Sequence, residues 1–157
     1  MKKLKVIAIM LCFAAVGLAV SCSKDEKKED ATLVGKWKCI YALVENYDYR
    51  SAGSVIKIDT NITYDEARIG KSWEFTEDGF FRREGEQRVN YTVNGDLLTF
   101  RRIDPPQDTL GFMKIIELHE KWVQLYNESD SRGSNGQGTV TKNTYVLSKT
   151  LEQSVAN

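Results

Sequence analysis

The chain has 157 residues, 22 Lys and Arg against 22 Asp and Glu, and an apolar content of 41%. That balance leaves no basic surplus for a nucleic-acid backbone, and three cysteines are too few for the disulfide framework of a small scaffold. The length suits one domain with a sizeable core.

At the N-terminus Lys2, Lys3 and Lys5 precede an almost uncharged apolar run from Val6 to Val20 and then Ser21-Cys22, the three-part layout of a secretory signal. The run is about 15 residues, or about 22 Å as a helix, short of a roughly 30 Å hydrocarbon core, so it reads as a signal and not a span. Leu18-Ala19-Val20-Ser21-Cys22 resembles the bacterial lipobox, with Ala19 where that family usually has leucine. The resemblance implies cleavage after residue 21 and lipidation of Cys22, whose acyl chains hold the protein on a bilayer.

Ser23-Lys24-Asp25-Glu26-Lys27-Lys28-Glu29-Asp30 offers nothing apolar to bury, so residues 22–31 read as a charged tether. It also resembles the Lys/Asp/Glu-rich signal that directs some Gram-negative lipoproteins to the outer face of the outer membrane; the periplasmic face is the alternative. Loss of residues 1–21 removes three basic and no acidic residues and leaves the mature chain at −3. Cys12 departs with the signal and Cys22 carries lipid. Cys39 then stands alone, a buried and inert thiol between Trp37 and Tyr41.

From residue 32 to 150 the pattern alternates with a period of two, and turn residues interrupt it often. The first strand covers Leu33 to Val44, with Trp37, Cys39 and Tyr41 expected on one face. Glu45 to Gly70 fits either a loop over a barrel mouth or an extra strand or helix on the rim. Ser72-Trp73-Glu74-Phe75 and Phe80-Phe81-Arg82-Arg83 form a hairpin through Glu77-Asp78-Gly79. Arg88 to Val93 and Asp96 to Arg102 flank Asn94-Gly95, a dipeptide suited to two positive-φ positions of a two-residue turn. Asp104-Pro105-Pro106-Gln107-Asp108 is a loop, since proline cannot donate to a ladder. Gly111 to Leu118, Lys121 to Asn127 and Thr139 to Lys149 supply the last strands, the final two joined by the glycine-rich segment Ser131 to Gly138. Trp122 has apolar neighbours on both faces and is assigned to neither.

The expected fold is all-β: about eight strands in up-and-down antiparallel order, closing into a barrel that removes exposed edges. A barrel of this size is either filled by side chains or holds one small ligand.

Gly35-Lys36-Trp37 resembles the Gly-x-Trp signature of lipocalins, whose tryptophan plugs the closed end of the barrel. The strand count and the closing Tyr145-Val146-Leu147-Ser148-Lys149 resemble bacterial lipocalin-like domains found behind lipoprotein signals, over residues 31–150. The chain departs from animal lipocalins in lacking a Thr-Asp-Tyr motif, an arginine in the last strand to stack on Trp37, and a C-terminal helix, for which only the tail 151–157 remains. Lys149 is placed to cross the indole instead.

Functionally, these features imply a membrane-anchored, lipocalin-like binding protein for a small apolar or amphipathic molecule. The inward aromatics Trp37, Tyr41, Trp73, Phe75 and Tyr145 are the candidate contacts. The alternative is an envelope interaction or structural module in which those aromatics are only the core of a filled barrel. No catalytic residue, metal site or cofactor is expected. His119 sits in a turn, and no Gly-x-Ser-x-Gly, His-Glu-x-x-His or phosphate-cradling loop occurs. Glu74 and Glu84 lie beside arginines and read as surface charges. Asp108-Thr109-Leu110 resembles a bacterial O-glycosylation acceptor, a pattern short enough to arise by chance.

Overall fold

In the structure, a computed structural model, residues 31–150 are described. The signal, Cys22 with the tether up to residue 30, and the tail 151–157 lie outside them. The described residues form nine strands in chain order: β1 (Gly35–Ala52), β2 (Val55–Tyr64), β3 (Ser72–Phe75), β4 (Phe80–Arg83), β5 (Val89–Asn94), β6 (Leu97–Arg101), β7 (Thr109–Leu118), β8 (Trp122–Asp130) and β9 (Gly138–Lys149). All neighbours are antiparallel, and β9 returns to pair with β1, closing an eight-stranded barrel of β1 and β3 to β9. β2 is the ninth strand and pairs only with the distal part of β1. The fold is thus an all-β, up-and-down antiparallel barrel, consistent with a lipocalin-like architecture. Because every barrel strand finds its partners between residues 35 and 149, this unit carries its own core and closes its own ladders.

Period-two alternation explains the core. Trp37, Cys39, Trp73, Phe75, Leu98, Val123, Leu125 and Leu147 are almost wholly buried, while their strand neighbours face outward. The closed end is built around Trp37, whose Nε1–H donates to the Leu33 carbonyl at 2.7 Å, so the segment entering the barrel is tied beneath it. Lys149 does cross the indole, with Nζ 5.4 Å from the ring centroid. Gly35 makes room for it: at φ 132° this residue lies where side chains are strained, and a Cβ there would sit 3.2 Å from Lys149 Cε.

Three expectations need correction. Tyr41 does not share a face with Trp37 and Cys39, because a bulge between Cys39 and Tyr41 shifts the register against β9 and turns Ala42 inward. Tyr41 therefore lies on the outer surface, edge-on to Tyr64 with ring centroids 5.7 Å apart. The β5–β6 turn uses Gly95-Asp96 and not Asn94-Gly95. Asn94 still pairs with Leu97, and Gly95 alone takes positive φ, at 60°. A type II′ turn needs glycine only at its first central position, so Asn94 stays in the ladder.

The third concerns Glu45 to Gly70, which is not a lid loop but holds the extra strand of the other expectation, longer than the short rim element expected. β1 continues through it for 18 residues in all, about 60 Å at roughly 3.3 Å per residue, and β2 folds back along it through ten unbroken pairs. The resulting hairpin lies at the end opposite Trp37, where β9 stays paired with β1 as far as Tyr49, and only its tip extends beyond that ladder. Trp122, left unassigned by its pattern, lies outside, stacked on His119 at 4.2 Å, while Val123 and Leu125 point in.

Candidate functional site

Two residues beyond the aromatic core on each strand, the inward-facing side chains become smaller and more polar. On β4 Arg83 follows Phe81; on β8 Asn127 follows Leu125; on β9 Asn143 precedes Tyr145; on β7 Gly111 precedes Met113. Gly111 pairs with the inward Phe100, so its missing side chain would have pointed into the barrel, and a Cβ there meets nothing within 4 Å. Together these residues leave a cavity of about 340 Å³ at the open end, floored by Phe81 and Met113 and walled by Arg83, Asn127 and Tyr145. That is the lower end of the roughly 300–1,000 Å³ range of small-molecule sites.

The polar groups of the cavity are unevenly satisfied. Arg83, with a side chain 22% exposed, gives Nη2–H to Glu86 Oε2 at 2.6 Å. Its Nε and Nη1 are buried and find no partner among the described residues. The guanidinium lies over Trp73, 5.3 Å from the ring centroid. Burial pushes the Arg83 guanidinium down from its usual value, Glu86 offsets part of that, and the neighbouring Arg68 cation pushes it further down.

Arg68 belongs to the turn between β2 and β3. Its Nε is paired with Asp65 Oδ2 at 2.8 Å and its Nη1 donates to Tyr145 Oη at 3.2 Å. Burial pushes the Tyr145 phenol up, while Arg68 and Arg83 draw it back. Across the cavity, Asn127 Oδ1 is buried with no donor among the described residues. The site therefore presents unused donors on a desolvated cation and an unused acceptor on an amide.

Of the five residues expected to contact a ligand, only Tyr145 lines this cavity. Trp37 lies at the opposite, closed end. Trp73 and Phe75 are packed into the core at 0% and 1% exposure, Trp73 against Phe81 and Tyr145, and Phe75 against Phe81 and Tyr91. Tyr41 is outside the barrel. The residues that sequence reasoning missed were within its reach by alternation. Arg83 shares the Phe81 face of β4, and Gly111 shares the Met113 face of β7.

Elsewhere, the groups suspected of chemistry have structural roles. Glu74 is bonded to Arg82 and Glu84 to Lys71 and the Ser72 N–H, all on the exterior. Cys39 is buried, its Sγ–H donates to the Tyr41 carbonyl at 3.4 Å, and burial pushes its thiol up. Among the described residues no group of three His, Cys, Asp or Glu is close enough to hold a metal ion. No protein-family model, curated protein or solved structure matches the chain.

Proposed function

We propose that this chain is a membrane-anchored, lipocalin-like binding protein that holds a small apolar or amphipathic molecule at the open end of its barrel. The observation that carries the proposal is the cavity left by Gly111 above the Phe81 and Met113 floor. Gly111 lies beside the register shift of β7 against β6, and its missing side chain also leaves inward space unfilled, a vacancy that a bound molecule would pack.

The orientation supports it too. The chain enters at the Leu33 and Trp37 end, so a lipid on Cys22 would be tethered to the closed end and leave the cavity mouth at the far end unobstructed. Anchoring at the outer membrane, on the cell surface or the periplasmic face, belongs to the same proposal. Native mass spectrometry of the chain from residue 23, purified gently beside a Gly111→Leu variant, tests it. A reproducible added mass that the leucine removes supports the carrier. A clean apo mass after incubation with lipid and metabolite extracts refutes it.

A second reading, an envelope interaction module, is favoured by β2. All ten of its residues are exposed, and Ile56, Ile58, Ile62 and Tyr64 share its outer face. Asp65 N–H bonds to the Ala42 carbonyl in the register of the β1–β2 ladder. By antiparallel alternation, the even-numbered residues 56–64 therefore turn their N–H and C=O groups to the free edge. No proline or bulge blunts that edge, as edge strands usually require.

A second copy fits it. In an antiparallel register centred on Thr60, Ile56 meets Tyr64, Ile58 meets Ile62, Lys57 meets Thr63 and Asp59 meets Asn61, so no like charges oppose. Sedimentation velocity decides this reading. Concentration-dependent dimers abolished by Thr60→Pro support it, and a monomer at all concentrations sinks it.

A further inference from the structure

The unpaired polar atoms of the cavity specify more about the ligand than its size. We propose that the site selects an amphipathic anion, a carboxylate or a phosphate monoester on a short apolar body, and that Arg83 takes the anionic group. This rests on the carrier reading above and narrows it to a chemical class.

Three observations converge. Arg83 is a desolvated cation with one nitrogen paired and two buried nitrogens without partners. An unpaired donor on a buried charge is among the least favourable groups a protein can hold, and an incoming anion relieves it with a charge-assisted hydrogen bond. Arg68 and Arg83 both line the cavity, Arg68 bonded to Tyr145 Oη, so two cations share this wall, and a negative group between them reduces their mutual repulsion.

The carboxylates beside them do not remove that demand. Glu86 takes only Nη2 of Arg83, and Asp65 takes Nε of Arg68 on the rim turn. Lastly, Tyr145 Oη accepts from Arg68, so its own O–H remains to be donated beside the guanidinium.

The remainder of the cavity defines the rest of the molecule. Phe81, Phe100 and Met113 supply an apolar floor that rewards a hydrocarbon or ring. Asn127 Oδ1, buried without a donor, suits a hydroxyl or N–H on that body. A purely apolar ligand would leave both Arg83 nitrogens and this oxygen unpaired, and their desolvation would count against binding.

The test is a fluorescence and calorimetric titration of the chain from residue 23 with octanoate, octyl phosphate and octanol, which share a tail and differ in the head. Trp73 beneath the guanidinium serves as the reporter. At least one anion should bind ten-fold or more tightly than octanol, and the preferred anion identifies carboxylate or phosphate as the natural head. Arg83→Met should weaken both anions and remove the preference without weakening octanol, and Arg83→Lys should restore part of it. Near-ultraviolet circular dichroism verifies that each variant is folded.

Gly111→Leu should abolish binding of all three probes. Equal binding of the three by the native chain overturns the anion proposal and leaves the carrier standing. Anion preference that survives in Arg83→Met overturns the role of Arg83. Failure of all three probes to bind overturns the anion proposal, and the added mass in native spectrometry then judges the carrier separately.

Discussion

Replacing Trp37 tests whether the closed end is held by a packed and hydrogen-bonded plug. The indole is completely buried, and its N–H is bonded to the Leu33 carbonyl at 2.7 Å. Truncation to alanine forfeits the burial and opens a cavity, at about 3–5 kcal/mol. It also orphans the Leu33 carbonyl, at about 1–3 kcal/mol. Against a typical domain stability of about 5–15 kcal/mol, Trp37→Ala should leave the barrel marginal or unfolded.

Trp37→Phe separates the two contributions, since it keeps most of the ring and loses the hydrogen bond, so it should cost about 1–3 kcal/mol. Lys149→Met keeps the aliphatic stem across the indole and removes the ammonium, for about 0.5–1 kcal/mol. Urea unfolding followed by far-ultraviolet circular dichroism measures all three. Trp37→Ala costing under about 2 kcal/mol, or Lys149→Met costing more than Trp37→Phe, would refute the plug as described.

The remaining expectations concern other regions of the barrel. Trp73→Ala removes a fully buried ring and should cost about 3–5 kcal/mol, whereas Tyr41→Ala on the outer face should cost clearly less; similar values in thermal unfolding would contradict the bulge at Cys39 and Tyr41. Cys39 should react with a thiol reagent only after unfolding, because burial both shields it and raises its thiol; rapid native labelling would argue against the packed core around it.

Asp130 is held at about 2 by hydrogen bonds from the Arg132 side chain and backbone N–H. Its unfolded value is about 3.9, so its contribution is complete above that pH and fades as pH falls toward 2. A carboxyl-carbon NMR titration of Asp130 with a midpoint near the unfolded value would contradict the pairing. Gly111→Leu should leave the unfolding midpoint nearly unchanged, because its side chain enters open space, and a large loss would show that no such space exists.

The hairpins of this chain are written locally. Glu77-Asp78-Gly79 and the glycine-bearing turn between β5 and β6 lie between runs whose alternation already separates a buried from a solvated face, and a period of two survives whatever the tertiary context. The Gly35-Lys36-Trp37 segment and the later approach of Lys149 to the indole were likewise legible, because both depend on strands adjacent in a closed up-and-down order.

What required the tertiary structure was each feature that breaks the period or depends on distant strands. The bulge before Tyr41 reversed the face of everything after it, and no single strand records a register shift that only its partner β9 reveals. β2 alternates as a half-buried strand does, yet none of the described residues covers its apolar face, since the barrel closes from β1 to β3 and leaves it outside. The cavity is a sum over β4, β7, β8 and β9 of residues that are individually ordinary. An arginine, a glycine and two asparagines become a site only when closure brings them to one level, where burial removes the water that would otherwise satisfy them.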